Sequence, residues 1–452
     1  MGIRFRLFFI SILACFIISH TAIGFAGPRT APKRPWFTTD PHLLRKEALI
    51  EKNTLRHVTK DGLLLYTSFF PWSDTSKYQK SHDLADLPAW QGYLMAAYAF
   101  KEAVTGIDQD DKIRLLTEGL LKIYETTGIP GLLARSAMPD YRGARLSWMD
   151  TEQSRPTKFW MQGPHGTWFR NGVAKDHLHL AAFGAAIPLA LERQGKIRLH
   201  PATKQKLLDL LLPLVRRLAK NNYQIIDWNG KRTEFGDLGP QIANGFNQMI
   251  VLHMLVSAQF FDRELADVYR KEIKSWYRTI GWSLELLGQS IKRFVGDKRG
   301  PDFDKPSFSD MQALGLAYLS LFFQEPRREY MKSIRRGMEG MWKFMRYERN
   351  PMFSIPYIAT IRPNETQRMA PIIEDLRDFP VEKYELWMGH DDTDWIQPLA
   401  NRPMNSNYWK SSPWRTVLSS PPPRTGEEQV YAGMDYLVAY WMGRYFGVVP
   451  AE

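Results

Sequence analysis

Cysteine is nearly missing from this sequence: among 452 residues the single one is Cys15. It lies in an apolar run, Leu7 to Ile18, that follows Arg4 and Arg6 and precedes the small residues Gly24 and Ala26. Basic, then apolar, then small-x-small is the pattern of a secretory signal cut after Ala26. A lipoprotein signal ending at Cys15 is the alternative, which Leu13 and the apolar residues beyond Cys15 fit less well. The mature chain then has no cysteine, which excludes disulfides, a thiolate nucleophile and a thiolate metal site. The apolar run is too short, and wrongly flanked, for a stable membrane span. Also missing are a phosphate-binding loop, the glycine fingerprint of dinucleotide folds, a Gly-x-Ser-x-Gly elbow and His-Glu-x-x-His. Their absence argues against nucleotide-dependent, serine-hydrolase and zinc-protease chemistry.

Charge of one sign is in mild excess. Taking Arg4 and Arg6 from 60 basic residues leaves 58 against 48 acidic ones. The excess gathers in no run, so it suits an acidic glycan or an envelope surface rather than nucleic acid.

What is present is helical periodicity. After a Pro-rich arm over 27–40, Asp40-Pro41 reads as a helix start, with proline in the first helical position. Helices are expected over 86–104, 109–127, 175–194, 201–221, 245–263, 265–288, 309–324, 326–346 and 428–446. Strand signals are few. The clearest is a hairpin, 223–227 and 231–235, turned at Asn229-Gly230. A second strand is expected over Phe353–Ile361, lying on the helical body.

Five segments share a plan: those opening at Trp90, Asp176, Asn247, Asp310 and Tyr431 begin polar or aromatic and then turn apolar on nearly every face. A helix apolar all round must be enclosed. The helices between them are amphipathic. Alternation of enclosed and amphipathic helices predicts an all-α fold, an (α/α)6 toroid occupying 41–452 as one domain. The sixth inner helix is expected in 41–57 or in 371–388.

In such a toroid the inner-helix N-termini and the loops before them meet at one mouth, where this sequence concentrates its aromatics. Trp148, Trp160, Trp168, Arg145 and Arg170 precede helix 175–194, while Trp395, Tyr408 and Trp409 precede helix 428–446. Indole faces stack on sugar rings, and Asn, Asp and Arg bind hydroxyls and carboxylates. Asn247 at the start of helix 245–263 is a further donor. Ordinary anchoring of long loops accounts for part of this set.

Asp176 falls at an inner-helix start, a place suited to a negative charge. His177 and His179 lie ~200° apart around a helix and make a poor chelating pair, whereas Asp176 and His179 share a face. The expected acid/base pair is therefore Asp176 with His179, or His177 helped from another loop; a capping aspartate beside two ordinary histidines is the plain alternative. His253, inside an apolar helix, reads as a satisfied core histidine. The run His390-Asp391-Asp392-Thr393-Asp394 puts three carboxylates in four positions, of which Asp392 or Asp394 is the functional candidate. No cofactor is expected; a divalent cation at Asp391, Asp392 and Asp394 is the less favoured reading.

Three stretches carry a resemblance: Gly128-Ile-Pro-Gly-Leu-Leu-Ala-Arg-Ser136, Asp176-His177 opening a buried helix, and Tyr223 through Asp237. Together they resemble exported bacterial (α/α)-toroid proteins, similar in architecture to six-hairpin glycosidases and polysaccharide lyases. The likeness spans roughly 80 to 445. In that pattern the buried helix opens Ser-Ser-Asp-Glu, where this chain has Ala174-Lys175-Asp176-His177. The aspartate is kept and the glutamate is not.

These readings predict an exported protein, periplasmic or secreted, that binds a polysaccharide or oligosaccharide at the mouth, with no nucleic-acid partner and no transmembrane segment. As a glycoside hydrolase it would use Asp176 with Asp392 or Asp394. As a polysaccharide lyase it would use His177 or His179 with Tyr408 or Tyr431, and Arg145 or Arg170 to neutralise a uronate. A non-catalytic glycan- or partner-binding envelope protein is the alternative from a different class.

Overall fold

The computed structural model describes residues 41–69, 78–82, 86–138, 160–164, 166–239, 245–296, 308–345, 350–363, 365, 369–379, 381, 383–387, 415–418 and 430–450. The expected signal segment and arm lie outside these residues. The protein is mainly helical. In chain order the helices are α1 (Pro41–Leu55), α2 (Leu87–Thr105), α3 (Asp110–Thr127), α4 (Lys175–Arg193), α5 (Pro201–Lys220) and α6 (Gly245–Ala258). Then come α7 (Arg263–Gly296), α8 (Phe308–Gln324), α9 (Arg328–Met345), α10 (Pro351–Thr360), α11 (Met369–Asp378) and α12 (Met434–Tyr445).

Local chemistry sets their ends. Pro88 stands in the first turn of α2, and the helix stops at Gly106, whose left-handed φ of 70° lets its N–H reach Glu102 O at 2.7 Å. His200 caps α5, its Nδ1 accepting from Ala202 N–H at 3.2 Å, ahead of Pro201. Asn350 Oδ1 accepts from Met352 N–H at 2.9 Å and Pro351 follows, so Phe353–Ile361 continues a capped helix, α10, rather than the expected strand.

Even-numbered helices are the enclosed ones. All 14 residues of α6 are buried, and burial in α4 is continuous from His177 to Leu191. Helix α2 packs on α4, α4 on α6, α6 on α8, α8 on α10, α10 on α12, and α12 returns to α2. The sixth enclosed helix is α10; the expected ranges 41–57 and 371–388 hold α1 and α11, which pack on α12 and α10. Odd-numbered helices carry one apolar face each.

The cycle closes through a buried charge. Glu47 of α1 accepts from Trp441 Nε1 of α12 at 2.8 Å and pairs with Lys101 of α2 at 3.0 Å. Burial raises the Glu47 pKa, with Lys101 and Trp441 pulling the other way. Gln91 performs a similar task between α2 and its surroundings: it accepts from Leu64 N–H at 3.1 Å and donates to Gly62 O at 2.8 Å and to Leu116 O.

All described strands lie in segments that lead from an odd helix to the next even one. Between α1 and α2, β1 (Tyr66–Phe69) pairs with β2 (Tyr78–His82); between α3 and α4, β3 (Ser136–Met138), β5 (Trp168–Arg170) and β4 (Trp160–Gln162) form a sheet in that order. The expected hairpin is present as β6 (Gln224–Ile226) and β7 (Arg232–Asp237). Before α12, β8 (Lys383–Trp387) is flanked by β9 (Arg415–Leu418) and β10 (Val430–Tyr431). Every pairing is antiparallel.

Helices α2 and α4 touch backbone to backbone. A Cβ at Gly92 would stand 1.9 Å from Leu180 O, and one at Gly184 would stand 2.5 Å from Gly92 Cα. Gly92→Ala is therefore expected to destabilise the protein by ~3 kcal/mol or more. Gly315→Ala in α8, where a Cβ meets nothing within 4 Å, is expected to stabilise by ~0.5–1 kcal/mol. Urea unfolding of both variants checks the pair, and equal effects would contradict the close approach.

Candidate functional site

The sheets and loops that precede the enclosed helices are tied to one another by hydrogen bonds. Arg135 N–H donates to Arg170 O at 2.8 Å, which fixes the start of β3 on β5. Gly172 N–H, just after β5, donates to Asp227 Oδ2 at 3.0 Å and so holds the β6–β7 hairpin against the approach to α4. Asn247 Nδ2 donates to Asp237 O at 2.9 Å and joins the end of β7 to α6.

Against this frame α4 opens without a side-chain cap at Ala174. His177, one turn in, supplies the missing acceptor: Ala174 N–H donates to its Nδ1 at 2.9 Å. With Nδ1 accepting, the neutral ring carries its proton on Nε2, which lies 2.8 Å from Asp86 Oδ1. Asp86 sits at the N-cap position of α2 yet makes no cap bond; its carboxylate is engaged by His177 and, at 3.3 Å, by Arg135. Asp176 Oδ1 lies 3.4 Å from His177 Nδ1.

His177 is wholly buried, and its charge is set by competition. Burial pulls its pKa down, but the charge of Asp176 and the hydrogen bond and charge of Asp86 outweigh it, with Arg135 opposing, so the pKa stands above the ordinary imidazole value. Asp176 is the accessible member, its side chain 21 % exposed against 8 % for Asp86 and 0 % for His177. A group that touches a ligand in this cluster is therefore Asp176. The three residues offer donor atoms within 4.8 Å of one another, a spacing compatible with a cation. Their present contacts are charge pairing: both His177 nitrogens are engaged and Arg135 lies on Asp86.

Further polar groups come from the other enclosed helices. Tyr93 of α2 donates to Gln312 Oε1 of α8 at 3.3 Å. Burial, then the charges of Asp435 on α12 and Asp176, push the Tyr93 phenol well above its usual pKa, so it stays a proton donor. Side chains from α2, α4, α8 and α12 thus share one buried region.

The expected pairing of Asp176 with His179 does not form. His179 is wholly buried and meets His253 of α6 edge-on, ring centroids 4.7 Å apart, and neither ring makes a well-formed hydrogen bond. His253 is accordingly not the satisfied core histidine its setting suggests. The pKa of His179 is pulled well down by burial and then by His253; that of His253 is pulled to about 3 by burial. Trp160 is buried because strand alternation turns it inward in β4, so its ring supports the sheet rather than offering a face to a ligand. Trp168 is exposed, Arg170 is half-buried, and Asn247 is spent on the hairpin. Trp148, Arg145, Asp391, Asp392, Asp394, Trp395, Tyr408 and Trp409 lie outside the described residues, as do the side chains of Asp310 and Tyr431.

Sequence reasoning passed over Asp86, Arg135, Tyr93, Gln312 and Asp435. Asp86 two residues before Pro88 reads as an ordinary helix cap, and Arg135 had only its place in the Gly128–Ser136 stretch to mark it. No family model matches this sequence, and no curated protein matches it.

The histidines give the fold a signed pH dependence. His179 and His253 are held neutral, so their contribution is complete above pH ~6.5 and declines as pH falls toward the depressed native values, by ~1.4 kcal/mol per pH unit for each. His177, raised, contributes fully below pH ~6.5 and fades as pH rises through its native value. Urea unfolding at pH ~7.5 and ~5 is expected to show acid destabilisation that His253→Leu reduces; an unchanged slope would place the sensitivity elsewhere.

Proposed function

We propose that the chain is an exported (α/α)6 toroid protein that binds an acidic glycan at the mouth of its inner ring and cleaves it as a glycoside hydrolase, with Asp176 the residue that meets the sugar. The closed order of contacts among α2, α4, α6, α8, α10 and α12 is what six helical hairpins arranged in a ring would give. The observation that carries the functional reading is the meeting of Asp176, Asp86, Arg135, Tyr93, Gln312 and Asp435 where those helices begin. Four sheets line the segments that lead into them, so a mouth and its walls come from the same connections.

In this reading Asp176 exchanges a proton with the glycosidic oxygen or with the attacking water, and Asp392 or Asp394 supplies the second carboxylate. His177 works behind Asp176: held by the Ala174 amide on one nitrogen and by Asp86 on the other, it fixes the ring beside the carboxylate. Arg170 and Arg135 favour an anionic sugar. Lyase chemistry through His177 or His179 is the weaker reading, because neither ring is exposed. A non-catalytic glycan-binding protein is the second reading, favoured by the enclosed histidine at position 177, where the resembling proteins carry glutamate.

Purified mature protein should release reducing ends from at least one member of a panel of acidic and neutral polysaccharides. Asp176→Asn is expected to lower turnover by ~10²–10⁴-fold while glycan affinity stays within a few-fold. An ultraviolet-absorbing unsaturated product would reassign the reaction to a lyase. Binding without turnover would favour the non-catalytic reading, and absence of both would overturn the proposal.

A further inference from the structure

Helices α7 and α9 form one close-packed pair. The two helices run side by side in backbone contact: a Cβ at Gly281 would stand 2.5 Å from Ser333 O, and one at Gly337 would stand 2.7 Å from Gly281 O. Contacts this close leave no room for sliding, so the pair forms a stiff plate. Salt bridging continues the join, with Arg336 Nε 3.2 Å from Glu285 Oε2.

Charge on this plate is strongly biased. Over 263–286 and 328–342 nine Lys and Arg side chains are exposed against three Asp and Glu. Lys271, Lys274 and Arg278 follow one another at helical spacing along α7. The same line continues into Trp282, 59 % exposed, and Leu286, 40 % exposed. From Lys271 to Leu286 the stripe is ~22 Å long. Arg336 reaches Glu285, which lies between the two apolar residues in sequence, so α9 neutralises the carboxylate beside them.

A basic stripe ending in an exposed indole and a leucine one turn apart matches the interface of an anionic bilayer. Lys and Arg gain from the surface potential, while Trp and Leu enter the headgroup boundary. No described helix is long and apolar enough to cross a membrane, so the contact would be peripheral. We propose that the α7–α9 face docks the protein on anionic lipid. The surface rests on different residues from the mouth and stands whether or not the glycan reading does.

Co-sedimentation with phosphatidylcholine vesicles containing about one-third phosphatidylglycerol tests it, using the mature chain in about 0.05 M salt. Binding is expected there, and is expected to be lost on pure phosphatidylcholine and weakened at about 0.5 M salt. Lys271→Glu with Lys274→Glu should weaken it ~10-fold or more, and Trp282→Ala with Leu286→Ala by ~10-fold. All four side chains are exposed, so melting temperatures should stay close to that of the parent. No binding to the anionic vesicles, or binding that both double variants leave unchanged, overturns the proposal. Binding of soluble polygalacturonate through these same residues, with none to vesicles, overturns it in favour of a polyanion site.

Discussion

A helix that is apolar on every side has to be surrounded, and most of this molecule can be understood from that requirement. Helices α2, α4, α6, α8, α10 and α12 cannot each be wrapped by solvent-facing partners alone, because a chain of this length does not supply enough of them. Packing them against one another in a closed order solves part of the enclosure, and the amphipathic helices supply much of the rest. Residues without side chains allow the closest approaches, as where Gly92 and Gly184 let α2 and α4 meet. Close packing also decides where chemistry gathers: Tyr93, Asp176, Gln312 and Asp435, from α2, α4, α8 and α12, share one buried region.

Crowding polar groups into an interior is expensive, and the protein answers the expense in two opposite ways. Around His177 the groups are matched, with Asp86, Arg135, Asp176 and the Ala174 amide each finding a partner. Two residues on, His179 meets His253 edge-on, and burial holds both rings uncharged. One histidine is thus drawn toward its charged form by the same helix that forces its neighbour two residues on to stay neutral. The difference is not in the residue type but in which way the helix turns it.

That distinction also marks what was legible in the sequence. Five of the six enclosed helices declared themselves by being apolar all round, and the β6–β7 hairpin by Asn229-Gly230, because both signals are local. The segment 353–361 misled because it is short and rich in Ile, Phe and Tyr; the cap at Asn350 that decides for helix lies just outside it. The pairing of His177 with Asp86 spans 91 positions and leaves no local trace, since Asp86 looks like any aspartate ahead of a helix. Likewise nothing in Asp176-His177-Leu178-His179 says that the second histidine will meet a third one on α6. Spacing along a helix tells which residues share a face; it cannot tell what that face will meet.

The contacts among Glu47, Lys101 and Trp441 join positions up to 394 apart in the chain, and Thr54 binds the Gly433 amide across 379. Loop closure of that span comes late on any folding route, since its entropy must be met before the contact gives anything back. Until α12 has been synthesised and seated, α2 keeps one flank uncovered, and the apolar surface of five further helices has no complete enclosure. A fragment that stops short of α12 cannot finish this fold.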